Sequence, residues 1–114
     1  MIKQLCEDLL RRVYDSVTAV VCFDGAGALI GVTMFDTLFG TQERLVLPGA
    51  RCVRIICNHP EGRMTLTQEE IRNARFAAAQ TEGAAVHVHI YGEDIGLFEV
   101  DTEAILNYNG ENAV

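Results

Sequence analysis

Between residues 51 and 82 the spacing of apolar residues changes once, from every second position to every third or fourth, and Pro60 lies at the change. Residues 51–58 alternate like a strand: Val53, Ile55, Cys57 and then His59 point one way, and Cys52, Arg54, Ile56 and Asn58 the other. Pro60 has no N–H and cannot continue a central ladder, so the strand ends there. A helix is expected over about residues 68–82, opened by Thr67-x-x-Glu70. That spacing is a capping box, in which the Thr67 hydroxyl accepts from the Glu70 N–H and the Glu70 carboxylate returns the bond. A strand that hands directly to a capped helix through Pro60 and Gly62 demands a helix lying on a sheet, which excludes all-helical and all-β folds.

The flanking segments extend that pattern. Residues 2–15 carry Ile2, Leu5, Cys6, Leu9, Leu10 and Val13 at helical spacing, with Lys3, Glu7, Asp8, Arg11 and Arg12 opposite. Residues 17–23 and 28–35 read as strands joined in a hairpin by Asp24-Gly25-Ala26-Gly27. A short strand is expected at 44–47, stopped by Pro48-Gly49. Residues 84–91 and 97–100 read as closing strands, and 102–108 as a last helical turn or two. The expected fold is therefore an α/β sandwich with a mixed sheet, formed by residues 1–114 as one domain. Ile71, Ala74, Ala78 and Ala79 would let the second helix lie close on the sheet.

Charge narrows the function classes. The net charge of −7 and nine scattered Lys and Arg residues give no phosphate-binding surface, so nucleic acid is not an expected partner. No apolar run is long enough to span a bilayer, and charges of both signs interrupt the first residues as they would not in a signal peptide. The expected location is the cytoplasm, with Cys6, Cys22, Cys52 and Cys57 reduced. Asp24-Gly25-Ala26-Gly27 lacks a nucleotide-binding fingerprint around it and reads as a turn.

The residue types that carry chemistry cluster around Pro60. Cys57 and His59, two apart on a strand, leave the same face and can reach one metal ion. The same pair also reads as a buried thiol beside a loop histidine, and Glu70 is explained by the capping box alone. His87 and His89, again two apart, read as structural or surface histidines.

The whole string, Cys57-x-His59-Pro60-x-Gly62 followed by Thr67-x-x-Glu70, resembles the JAB/MPN (JAMM) metalloprotease-like domain, most closely its RadC-like branch. The family pattern is His-x-His-Pro-x-Gly, a short loop, then Ser-x-x-Asp. Cys57 stands for the first His, Thr67 for the Ser and Glu70 for the Asp. The resemblance covers about residues 17–92 and implies a cytidine-deaminase-like sandwich. It implies Zn2+ held by Cys57, His59 and Glu70, with Thr67 stabilising an oxyanion. The family's general base, a Glu on an earlier strand, falls on Thr33 or on Phe35 depending on alignment, and neither takes a proton from water. Asp36 is the nearest substitute, reached only through a bulge. The chain also leaves no room after residue 41 for a helix the family usually has. Loss of a base costs ~10²–10⁴-fold in rate. The resemblance thus implies a non-catalytic binding or scaffolding module with a protein or peptide partner. Its alternative is a zinc-dependent hydrolase of peptide or isopeptide bonds.

Overall fold

The computed structural model describes residues 2–35, 44–81 and 83–107. In chain order these form α1 (Ile2–Leu10), β1 (Thr18–Phe23), β2 (Leu29–Phe35), β3 (Cys52–Asn58), α2 (Gln68–Ala78), β4 (Ala85–Gly92), β5 (Gly96–Glu99) and α3 (Thr102–Leu106). The strands make one five-stranded sheet in the order β2-β1-β3-β4-β5. Neighbours are antiparallel except β3 and β4, which run parallel with α2 as their crossover. This is a single α/β domain with a mixed sheet.

Alternation along the strands divides the core into two layers. On one face Val20, Cys22, Val53, Ile55 and Val88 pack against Ala74 and Ala77 of α2. On the other, Ala19, Val21, Phe23, Ile56 and Tyr91 pack against Cys6 and Leu10 of α1. β1 and β3, buried on both faces, are therefore apolar nearly throughout, as central strands must be. The face of α2 that turns inward is Glu70, Ile71, Asn73, Ala74 and Ala77. Ala79, expected in that stripe, is exposed, because the helix is rotated to bring the polar Glu70 and Asn73 under the sheet.

α2 ends at Ala78 instead of about 82, and two other expected elements differ through a bond between residues distant in sequence. The first helix stops at Leu10 instead of 15. The buried Asn58 amide donates to the Val13 and Asp15 carbonyls at 3.1 and 2.9 Å, and its backbone N–H donates to Val17 O at 2.8 Å. Those carbonyls satisfy a buried amide, and the segment that supplies them leaves the helix. The segment at 44–47 is not a strand. Its Leu45 and Val46 N–H groups donate to Gln80 Oε1 at 2.6 and 3.0 Å, which fixes it as a loop over the end of α2 while both side chains enter the core.

Gly92 closes the sheet against the turn after β3. A Cβ there would meet the His59 carbonyl oxygen at 2.7 Å and Ile95 Cγ1 at 2.9 Å. At Gly31 a Cβ would meet only Leu47 Cδ1, at 2.7 Å, and that methyl can rotate away. Gly92→Ala is expected to destabilise by about 1–3 kcal/mol, from a backbone that cannot yield. Gly31→Ala should cost distinctly less. Urea unfolding of the two variants checks this, and equal losses would contradict the assigned packing.

Candidate functional site

The end of β3 and the start of α2 meet across a turn that both elements shape. The register of β1 on β3 sets Thr18 beside Cys57. His59, one residue past β3, still donates its N–H to Tyr91 O at 2.7 Å, so its ring is held at the sheet although the ladder ends. Gly62 N–H then donates to His59 O at 2.9 Å, with Gly62 at φ 82°, a left-handed conformation suited to glycine. Thr67 caps α2 in extended conformation, and both halves of the capping box form: Glu70 N–H to Thr67 Oγ1 at 3.1 Å and Thr67 N–H to Glu70 Oε1 at 2.8 Å.

Glu70 does more than complete that box. Its Oε1 also accepts from Arg63 Nη2 at 3.2 Å, and its Oε2 lies 2.6 Å from His59 Nε2. Three donors thus converge on one carboxylate, from the Thr67 N–H, Arg63 and His59, and the Cys57 thiol lies close enough to be raised by its charge. Glu70 is 8% exposed and His59 is fully buried. A buried carboxylate is tolerable only with such partners.

Donor–acceptor logic fixes the ring. His59 Nδ1 faces the Arg63 carbonyl and so carries a hydrogen. Nε2 faces a carboxylate oxygen at a distance that requires a proton between them. Arg63 Nη2, 3.2 Å from Nε2, is a donor that bonds Glu70 instead. Arg63 is itself held by Thr65 O at Nε (3.0 Å) and Glu61 Oε1 at Nη1 (3.2 Å). One residue therefore grips both sides of the imidazole, through its carbonyl and beside its guanidinium. Burial pushes the Cys57 thiol up to about 12, the Glu70 charge adding to it and the Thr18 hydroxyl opposing it.

Cys57, His59 and Glu70 are thus brought together, with a direct hydrogen bond between His59 and Glu70. A zinc ion bridging Nε2 and Oε2 at ~2.0–2.2 Å would hold those atoms about 3.4 Å apart. They are 2.6 Å apart, with a proton between them. The third candidate ligand, the Cys57 thiol, is buried close enough to Glu70 for the carboxylate charge to act on it. A guanidinium also lies within 3.2 Å of both other groups. In this arrangement the trio does not fit zinc, and among the described residues no group of three or more His, Cys, Asp or Glu is disposed to hold a metal ion.

The remaining sequence candidates fall around this cluster. Thr67 borders a cavity of about 170 Å³ with Ser16, Thr18, Arg63, Glu70 and Asn73, its hydroxyl engaged as the helix cap. Asp36 lies outside the described residues. The β2 register sets Phe35 opposite Thr18, in line with Cys57, and Thr33 opposite Val20, one row away. The apolar Phe35 therefore stands nearest the position from which a base would act. His87 and His89 lie on the opposite face of the sheet, where His87 bonds Glu99 and His89 meets Arg54. Neither joins Cys57. Arg63 was not legible as a site residue, because a charged side chain in a turn ordinarily faces water.

No family model, no curated protein and no solved structure matches this chain. No helix among the described residues is long and apolar enough to cross a membrane.

Removing the carboxylate hub should cost far more than removing the cap alone. Glu70→Ala is expected to lose about 3–5 kcal/mol, the usual result of stripping one partner from a buried ionic group. Thr67→Ala should lose about 1 kcal/mol. Urea titration separates them, and equal losses would reduce Glu70 to a capping residue. The raised Cys57 adds a pH signature. The unfolded thiol ionises near its ordinary 9.0 and the folded one only near 12, so the native state binds the extra proton between those values. Stability should therefore fall as pH rises through that window. At pH 8 Cys57 should stay unalkylated in the native protein and react once it is unfolded.

Proposed function

We propose that this chain is a JAB/MPN-type domain, nearest the RadC-like branch, that serves as a non-catalytic binding module. The observation that carries this reading is the Arg63 guanidinium, 3.2 Å from Glu70 Oε1 and from His59 Nε2. A permanent cation stands where the family's pattern would call for a divalent one. It supplies the positive charge that a buried carboxylate needs but offers no exchangeable coordination site and acidifies no water. Phe35 in line with Cys57 supports the same reading, since a phenyl ring cannot take a proton from a nucleophile. The cluster becomes a clasp that joins the end of β3 to the start of α2.

A protein or peptide partner fits one exposed feature. Among the described residues β2 is an edge strand, seven residues long without a charge or proline, and Leu29, Ile30 and Met34 are exposed on it. Unpaired edge backbone with alternating apolar side chains is the surface to which an extended peptide adds as a further strand.

The zinc-hydrolase alternative has one observation in its favour. The His59 Nδ1–H donated to a backbone carbonyl is the arrangement by which a metal-binding histidine frees Nε2. Ancestry explains that orientation without present activity.

Zinc titration of metal-stripped protein, purified without a histidine tag, tests the reading. The expected result is no stoichiometric uptake and no zinc-dependent peptide cleavage. Arg63→Ala should be the variant that gains zinc affinity, because it removes the competing charge. Stoichiometric zinc and cleavage by the unmodified protein, both abolished by His59→Ala, would establish the hydrolase instead.

A further inference from the structure

The α1 face of the sheet carries a second polar group, on the opposite side from Glu70. Arg54 of β3 pairs with Val21 of β1 and with His87 of β4, and its Nη1 donates to His89 Nε2 at 3.0 Å. Among the described residues no carboxylate lies within ion-pairing distance of Arg54. Glu99 is the acidic group that acts on this cluster from β5, but its carboxylate bonds His87 Nδ1 at 3.0 Å. A half-buried guanidinium without an anion is unusual in a chain of net charge −7.

His89 explains how that state is held. It is 4% exposed, and burial, then the Arg54 charge, pulls it down to about 4, so it is neutral near pH 7. A neutral ring that accepts at Nε2 carries its hydrogen on Nδ1, and that buried atom has no partner. The chain therefore tolerates an unsatisfied donor in order to orient Arg54 with a neutral acceptor. An acidic residue in place of His89 would have oriented the guanidinium and cancelled its charge together.

Beside Arg54 lies a cavity of about 320 Å³, lined also by Ile2, Phe23, Gly27 and Cys52. That volume is at the small end of the range for organic ligands, ~300–1,000 Å³. Its walls are apolar apart from the one guanidinium, whose free N–H groups form the planar fork that carboxylates match.

We propose that this cavity is a binding site for a small organic carboxylate with an apolar body, the carboxylate paired with Arg54 and the body lying against Ile2, Phe23 and Cys52. One monovalent cation in an apolar pocket suits such a monoanion better than inorganic phosphate, which needs several donors and has nothing to place against the walls. The site uses none of the residues of the Glu70 cluster, so it stands or falls separately from it.

Calorimetric titration with octanoate tests the proposal, against 1-octanol, which lacks the charge, and inorganic phosphate, which lacks the apolar body. Octanoate should bind saturably, with both controls at least about tenfold weaker, as expected for a hydrogen-bonded charge pair added to apolar burial. Arg54→Met should weaken octanoate by a similar factor. A second readout uses the unmodified protein: Cys52 is half-buried while Cys6, Cys22 and Cys57 are buried, and it lines the cavity. Octanoate should slow alkylation of Cys52 by iodoacetamide, and 1-octanol at the same concentration should not. Absence of saturable octanoate binding together with unprotected Cys52 would overturn the proposal. So would equal binding of octanoate and 1-octanol, or undiminished binding by a folded Arg54→Met protein.

Discussion

The Glu70 carboxylate is the constraint on which the rest of this structure turns. A buried negative charge is tolerable only where donors surround it, and here they come from three places: the cap of α2, the turn after β3 and the imidazole just past the end of β3. Meeting that demand draws α2 down onto the sheet with a polar first turn inward. It places small Ala74 and Ala77 against Val20, Ile55 and Val88. It also needs β4 close enough for Tyr91 O to take the His59 N–H, which is where Gly92 is required. Electrostatics at one point thus sets helix rotation, side-chain size and glycine placement around it.

The same demand accounts for the chemistry. The Glu70 carboxylate accepts at both oxygens, and the His59 imidazole is bonded at both nitrogens. The thiol, protonated and buried, is a poor nucleophile. Three residue types that elsewhere make reactive sites are here mutually satisfied. Arg63 adds a fixed positive charge 3.2 Å from both His59 Nε2 and Glu70 Oε1. The opposite face shows a different solution: His89 holds Arg54 through a neutral contact, and the acidic Glu99 that acts on the cluster bonds His87.

The parts legible in the sequence were those governed by local rules. Alternation located β3, a β-branched apolar run located β1, and the Thr67–Glu70 spacing located the start of α2 and both halves of its capping box. Cys57 and His59 were legible as neighbours from strand alternation, and Glu70 was joined to them only through the family resemblance. What escaped were bonds between side chains and distant backbone. Asn58 ends α1 by claiming the Val13 and Asp15 carbonyls, and Gln80 turns an expected strand at 44–47 into a loop. Neither Asn58 nor Gln80 advertises its partner through periodicity. Arg63 escaped for a similar reason: its role depends on where the turn folds back, which apolar spacing does not encode.

The central claim is that a guanidinium and a shared proton hold His59 and Glu70 together. A crystal structure of the unmodified protein grown with excess zinc, with anomalous data at the zinc edge, tests it most directly. The account predicts no anomalous peak between His59 and Glu70, Nε2 and Oε2 still 2.6 Å apart, and Arg63 Nη2 still on Glu70. A peak within ~2.0–2.3 Å of Cys57 Sγ, His59 Nε2 and a Glu70 oxygen, with Arg63 displaced, would contradict it.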